Sequence, residues 1–291
     1  MECDICPRNC HVDRNARPGL CGCFTLPRIA LSDLHHWEEP CISGVNGSGA
    51  VFFTGCNMRC IFCQNYEIRD GGTGAICDEK ALSDRFLMLQ DRGAHNINLV
   101  SPAPFAPLIA DAIRIAKKHG LTIPIVYNTN AYEKVDTLQL LTGLVDIYLP
   151  DFKYVTPALS KRFSGVADYA DFALPAMKEM FSQTGTLRTD TNGIAIGGLI
   201  IRHLVLPTCV DETRRILDCI CNNFPSETHI SLMRQYAPTP GLTQPPLNRR
   251  ITDREYDRAI DYAIRCGFEN VLIQDKSSAD LCYTPNFTAQ Q

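Results

Sequence analysis

The stretch Ala50-Val-Phe-Phe-Thr-Gly-Cys56-Asn-Met-Arg-Cys60-Ile-Phe-Cys63 decides the fold, because it joins a short apolar run to a loop that carries three cysteines. The apolar run at 50–53 predicts a buried strand. Gly55 permits a tight turn directly before the first of these cysteines. The CxxxCxxC spacing supplies three thiolates, where an ordinary four-iron cluster uses four. A cluster held by three thiolates leaves one iron open to a reactant.

Two other interpretations of this loop are a zinc site and a set of free core thiols. Zinc sites usually combine one CxxC with a second CxxC or with a pair of histidines. The loop alone does not match that pattern, and its position directly after a strand favours iron. We therefore expect Cys56, Cys60 and Cys63 to be the metal ligands at the catalytic centre.

Apolar runs alternate with amphipathic stretches between residues 49 and 273. Strands are predicted at 50–53, 96–100, 123–128, 145–149, 199–206 and 230–233, with a short one at 270–273. Helices are predicted at 78–92, 104–119, from beyond 128 to about 141, 169–183, 212–223 and 253–266. This alternation indicates a parallel sheet with right-handed crossovers. We predict the α/β class, with a partial (β/α)6-type TIM barrel at 49–273, a Cys-rich extension at 1–48 and a polar tail at 274–291.

Composition limits the partners and the compartment. The net charge is −4 and no Lys/Arg run is present, so nucleic acid is not expected as a partner. No apolar stretch approaches 20 residues, so no membrane span is expected. The N-terminus lacks a signal-peptide pattern, which predicts a cytoplasmic location. Thiols stay reduced there, so clustered cysteines indicate metal binding rather than disulfides.

A second group of cysteines lies near the N-terminus. Cys3, Cys6, Cys10 and Cys21 have a spacing that can close around one metal, and Cys23 is a spare thiol. A zinc knuckle would hold together a segment too small for its own core. A second iron–sulfur cluster would instead relay electrons. The ligand count does not choose between these metals.

The loop, with Phe62 before its last cysteine, resembles that of the radical S-adenosylmethionine (SAM) enzymes. Neighbouring segments are similar to one branch, the PflX-like relatives of pyruvate formate-lyase activating enzymes. These segments are 34–40, 43–44, 47–49, 52–57, 63–68, 96–102, 126–129, 146–154 and 202–207. The resemblance implies a [4Fe–4S] cluster that reductively cleaves SAM. The resulting 5′-deoxyadenosyl radical takes hydrogen from a substrate.

The resemblance also implies partners. Members of this branch need an electron donor such as flavodoxin or ferredoxin. The activating enzymes take hydrogen from a glycine in a glycyl-radical partner enzyme, while a peptide or a small molecule stays open as the substrate of this chain. A non-enzymatic electron carrier or redox sensor also explains the cysteines, without needing the barrel. A zinc-stapled hydrolase or binding module leaves the CxxxCxxC loop unexplained.

Positions for SAM follow from the same resemblance. Phe62 is expected near the adenine. Family members carry Gly-Gly-Glu-Pro after the second strand to hold the SAM amine, whereas this chain has Asn98-Leu-Val-Ser101-Pro102 there. The remaining expected cofactor contacts follow the third, fourth and fifth strands: Asn128, Thr129, Asp151, Lys153 and Arg202.

Several side chains keep two interpretations. Arg202 lies in an apolar strand and needs an anionic partner, either the SAM carboxylate or a carboxylate of the barrel, Asp151 or another. His203 faces the opposite side and is expected to be packed. Tyr236 either lines the substrate cavity or packs at the barrel mouth. The polar segment 35–39 is either a cavity wall or, as the simpler interpretation, a cap over the barrel end.

Overall fold

The computed structural model describes residues 2–279 and 283–287, so part of the predicted tail lies outside the described residues. The strands are β1 Arg28–His35, β2 Ser48–Phe53, β3 Ala75–Ile76, β4 Ile97–Val100, β5 Ile125–Thr129, β6 Ile147–Pro150, β7 Arg188–Thr189, β8 Ala195–Leu204, β9 His229–Met233 and β10 Val271–Ile273. The α-helices are α1 Pro40–Ser43, α2 Tyr66–Arg69, α3 Glu79–Asp91, α4 Ala106–Lys118, α5 Val135–Gln139, α6 Pro157–Ser164, α7 Tyr169–Thr184, α8 Val210–Cys221 and α9 Asp253–Arg265.

One sheet organises the chain, in the order β10-β9-β8-β6-β5-β4-β2-β1-β3. From β10 to β2 all neighbouring strands are parallel. Each strand predicted for the parallel sheet is present, with ends shifted by a few residues. The predicted α/β class is therefore confirmed. Strand β7 adds a short hairpin, since it pairs with β8 in antiparallel fashion.

Strand β1 was not predicted. It pairs antiparallel with β2 and widens the sheet beyond the parallel strands. Its side chains are mostly half-buried, with only Ile29 fully inside. Its few apolar residues therefore give a weak periodic signal, and pairing with the fully buried β2 decides its conformation.

Strand alternation separates two faces of the sheet. Residues on one face pack against the helices in the main core, as Tyr127 and Ile201 do. The opposite face is the inside of the barrel, where a separate apolar cluster lies. Its members come from α1 and three strands: Ile42, Val126, Ile147, Leu149, Ala195 and Ile200. The short helix α1 therefore fills the barrel from within.

Local signals explain the helix boundaries. The Asp78 carboxylate accepts a hydrogen bond from the backbone N–H of Ala81 and caps α3. Thr252 and Glu255 form a reciprocal capping box at the start of α9. Among the helices that the structure describes, none is long and apolar enough to cross a membrane.

Candidate active site

The CxxxCxxC loop leaves the carboxyl end of β2 and opens onto a cavity of about 220 Å³. Cys56, Cys60 and Cys63 all line this cavity. Gly55 has φ +86°, and a Cβ atom there would stand 2.2 Å from the Cys23 Sγ, so the turn requires glycine. The Cys56 N–H donates to the carbonyl of Cys21 at 3.1 Å, which ties the loop to the N-terminal segment.

Side-chain donors point at two of these sulfurs. The Asn130 amide donates to the Cys56 Sγ at 3.3 Å, and the Ser164 hydroxyl donates to the Cys60 Sγ at 3.0 Å. Donors of this kind favour the charged thiolate. Burial raises the pKa of the Cys56 thiol to about 11 and that of Cys63 to about 12, so iron binding must displace their protons.

The donor set fits a cluster better than a single ion. Three soft thiolates on one cavity suit iron–sulfur ligation. Within residues 2–279 and 283–287, no three His, Cys, Asp or Glu side chains form a group that would hold one metal ion. A cluster does not need that convergence, because each thiolate binds a different iron.

A buried ion network centred on Arg202 lines the same cavity. Its Nε donates to the Asp151 Oδ1 at 2.9 Å, its Nη1 to the Glu38 Oε2 at 3.0 Å and its Nη2 to the Asn128 Oδ1 at 2.7 Å. Lys153 donates to the second Asp151 oxygen at 2.7 Å. Of the two predicted partners for Arg202, the structure shows Asp151, and any SAM carboxylate would have to share the guanidinium.

Charges within this network shift one another's pKa values. Burial alone would raise the pKa of Asp151, but Lys153 and Arg202 outweigh it and lower that pKa. Burial likewise opposes the charge on Arg202, while Asp151, Glu39 and Glu38 raise its pKa. The carboxylate of Asp151 and the guanidinium of Arg202 therefore stay ionised at neutral pH.

Glu38 is a site residue that the sequence analysis missed. It reaches the cavity from the segment between β1 and α1, and also accepts from the Asn98 amide at 3.0 Å. Asn98 is fully buried and meets the site through Glu38. A usable signal existed: an unpaired Arg202 in an apolar strand calls for a carboxylate, and the pair at 38–39 offers two.

The segment 35–39 combines its two predicted roles. His35, Trp37 and Glu38 line the cavity, while α1, which follows directly, fills the barrel. The interpretation as a cap alone is therefore incomplete.

The other expected contacts surround the same cavity. Ser101 and Thr129 line it at the ends of β4 and β5. Ser101 adopts φ +61°, an uncommon conformation for a residue with a side chain. Phe62 packs edge-on against Tyr236, with ring centroids 6.3 Å apart, and both rings line the cavity. His203 faces away, as predicted, and its ring nitrogens contact the Phe152 carbonyl and the Thr213 hydroxyl.

The four N-terminal cysteines are not among the residues that line the cavity. Burial, and to a lesser extent the nearby thiols of Cys21, Cys3 and Cys10, raise the pKa of Cys6 to about 12. The sulfurs of Cys21 and Cys10 lie 3.3 and 3.4 Å from the position that a Cβ atom on Gly19 would take. The structure thus brings all four thiols into one region.

Comparison with known proteins agrees with this geometry. Residues 50–188 match the Radical SAM superfamily. The chain is 28% identical over 275 residues to the uncharacterized protein MJ0674 of Methanocaldococcus jannaschii, covering 90% of this chain and 74% of that protein.

Solved structures show the same fold. Streptococcus suis SuiB bound to its precursor peptide SuiA matches with a TM-score of 0.53 at 15% identity, covering 76% of this chain and 46% of SuiB. SuiB bound to SAM matches with a TM-score of 0.52 at 15% identity, covering 76% and 48%. The chain thus spans about half the length of SuiB.

Proposed function

We propose that this protein is a radical SAM enzyme of the PflX-like branch in which Cys56, Cys60 and Cys63 hold a [4Fe–4S] cluster and the adjoining cavity holds SAM. One observation carries the proposal: three thiols of a single loop, two of them with side-chain donors, open onto one cavity at the strand ends. When bound, cluster and SAM supply a 5′-deoxyadenosyl radical that abstracts hydrogen from the substrate.

The chain's own residues bind and orient the reactants. Phe62 and Tyr236 form an apolar wall suited to the adenine ring. Ser101, Asn128 and Thr129 place polar groups on the same cavity for the polar ends of SAM. The ionised Arg202, held by its protein partners, offers a fixed positive charge to a carboxylate without reorganisation.

The cavity mouth favours a small or extended substrate. Trp37 packs against Tyr283 with ring centroids 4.6 Å apart, and both residues line the cavity with Pro285. A folded glycyl-radical partner would have to displace this cover to insert a loop. We therefore propose a small molecule or an extended peptide as hydrogen donor. SuiB, which shares the fold, was solved with a precursor peptide bound.

We further propose that Cys3, Cys6, Cys10 and Cys21 bind a second metal centre, either an iron–sulfur cluster or a zinc ion around which the four thiols would have to draw closer together. Support comes from their shared region and from the Cys21 carbonyl, which accepts the Cys56 N–H. The cysteines that the structure describes are all free thiols, which suits a reducing cytoplasmic compartment and a flavodoxin or ferredoxin as electron donor.

The main test is anaerobic reconstitution with iron and sulfide, followed by electron paramagnetic resonance of the reduced protein with and without SAM. We expect a four-iron signal that changes on SAM addition, together with 5′-deoxyadenosine. The SAM-responsive signal and the 5′-deoxyadenosine should each be lost in C56A, C60A and C63A. Both should persist in C221A, which alters an exposed thiol. A cluster signal that ignores SAM, with no deoxyadenosine, would favour the electron carrier.

Metal analysis tests the N-terminal site. We expect C6A to lose either zinc or about half of the bound iron while keeping the SAM-responsive signal. C221A again serves as the control. If C6A contains as much zinc and as much iron as the unaltered protein, the second site is ruled out.

A further inference from the structure

The Asn130 side chain is fixed so that its amide nitrogen faces the Cys56 sulfur. Its Oδ1 accepts the backbone N–H of Tyr132 at 2.9 Å, which defines which end of the amide is oxygen. The Nδ2 then donates both to the Cys56 Sγ at 3.3 Å and to the Asn57 Oδ1 at 2.8 Å. Asn57 in turn donates to the Tyr132 carbonyl at 2.6 Å. The donor therefore cannot rotate away without breaking several hydrogen bonds.

Ser164 is placed at Cys60 in a comparable way. It is the last residue of α6 and is completely buried, with its hydroxyl 3.0 Å from the Cys60 Sγ. The Tyr154 hydroxyl lies 2.9 Å from the same oxygen. If Tyr154 donates, the Ser164 proton is directed to the sulfur. Because Ser164 is shielded from water, solvent does not compete with this hydrogen bond.

Hydrogen bonds to cluster sulfurs change the energy of the two oxidation states unequally. Adding an electron makes the cluster more negative, so a donor on a ligating sulfur stabilises the reduced state more than the oxidised state. Such donors therefore raise the reduction potential. In a dry site each donor has a larger effect than at a solvated surface.

We propose that Asn130 and Ser164 are positioning residues that raise the reduction potential of the cluster, each through its own sulfur. This inference rests on the proposed function, because it needs a cluster on Cys56, Cys60 and Cys63. It also gives a role to two residues that do not belong to the CxxxCxxC loop and contact it only through the fold.

The test is a potentiometric titration of the SAM-free, reconstituted protein, with the reduced cluster followed by electron paramagnetic resonance. S164A should lower the equilibrium constant for one-electron reduction by about three- to tenfold, where tenfold corresponds to 59 mV. S164T, which keeps the hydroxyl, should restore most of the potential. N130A should shift the potential in the same direction, and the double variant should show roughly the sum.

A matched control comes from the same helix. Ser160 is also buried in α6, but its hydroxyl donates to the Pro157 carbonyl and not to sulfur. S160A should therefore leave the potential unchanged. Iron content and circular dichroism of each variant show whether it folds and loads fully.

The outcomes separate the two proposals. If the unaltered protein forms no reducible cluster, the proposed function fails. If it forms one, and fully loaded S164A and N130A titrate at the same potential as S160A, the function stands and the roles of Asn130 and Ser164 are wrong. A shift to higher potential would also overturn the inference.

Discussion

At the scale of single residues, the site is organised by charges that are largely buried. The Arg202 side chain is 11% exposed and meets Glu38, Asp151 and Asn128. Removing water from these charged groups costs free energy, and the attraction between oppositely charged partners offsets part of that cost. The network therefore depends on every member, and losing Arg202 leaves Glu38 without its cation and Asp151 with Lys153 alone.

Replacing Arg202 tests this dependence. R202M should lower the free energy of unfolding by about 3–5 kcal/mol, since Glu38 would lose its buried counter-charge and Asp151 would keep only Lys153. The measurement is urea unfolding of the iron-free protein. R114M is the control, because Arg114 pairs with Asp111 at the exposed surface and should cost at most about 1 kcal/mol. Equal effects of both variants would show that the buried network contributes little to stability.

A buried carboxyl beside the site predicts a pH dependence. Burial raises the pKa of Glu133 to about 7, and hydrogen bonds from Thr129 and Tyr127 only partly oppose this shift. The folded state thus binds the proton more tightly than the unfolded state, whose pKa is near 4.5. The resulting stabilisation is complete below that value and is lost as the pH rises through about 7.

The variant E133Q has no carboxyl to titrate there. Relative to E133Q, the unaltered protein should lose on the order of 3 kcal/mol of unfolding free energy between pH 4.5 and pH 8. Urea unfolding of both iron-free proteins across this range measures the difference. In E227Q, which alters an exposed carboxyl, the free energy of unfolding should change with pH as it does in the unaltered protein. If the difference in unfolding free energy between E133Q and the unaltered protein is the same at every pH, burial does not raise the pKa of Glu133.

At the scale of elements, the parallel strands could be predicted from the sequence because each is a short apolar run between turn residues. Helix α1 could not be predicted, since Pro40–Ser43 is too short to show helical periodicity. Its place inside the barrel depends on contacts with β5, β6 and β8, which are distant in sequence. The contacts of Ser164 with Cys60 and of Glu38 with Arg202 could not be predicted for the same reason, since the partners lie 104 and 164 residues apart in sequence.

The role of α1 predicts that the Cys-rich extension and the barrel depend on one another. Ile42 is completely buried among the inward-facing residues of the barrel. I42A should therefore lower the free energy of unfolding by about 2–5 kcal/mol. V45A, three residues further on and 87% exposed, should change it by less than about 0.5 kcal/mol. Equal stabilities of I42A and V45A would show that α1 does not support the barrel.

At the scale of the whole molecule, distant parts of the chain meet at the cavity. Trp37 follows β1, near one end of the sheet order, and packs on Tyr283 from beyond β10, at the other end. Phe287 packs on Phe52 of β2 with ring centroids 5.3 Å apart. The cysteine spacing pointed to the CxxxCxxC loop at 56–63, and the strand pattern predicted that this loop directly follows a strand of the sheet. The walls around it were not predictable, because they require the folded path of both terminal segments.

This arrangement predicts that the mouth and the barrel unfold together. Trp37 is the only tryptophan, so its fluorescence reports the mouth, while far-ultraviolet circular dichroism reports mainly the helices around the sheet. Because α1 joins Trp37 to the barrel interior, the two signals should change at the same urea concentration in the iron-free protein. I42A should move both midpoints down together, and V45A should move neither. A fluorescence transition that precedes the circular dichroism transition would show that the mouth opens while the barrel stays folded, and a folded partner could then reach the cavity without unfolding the enzyme.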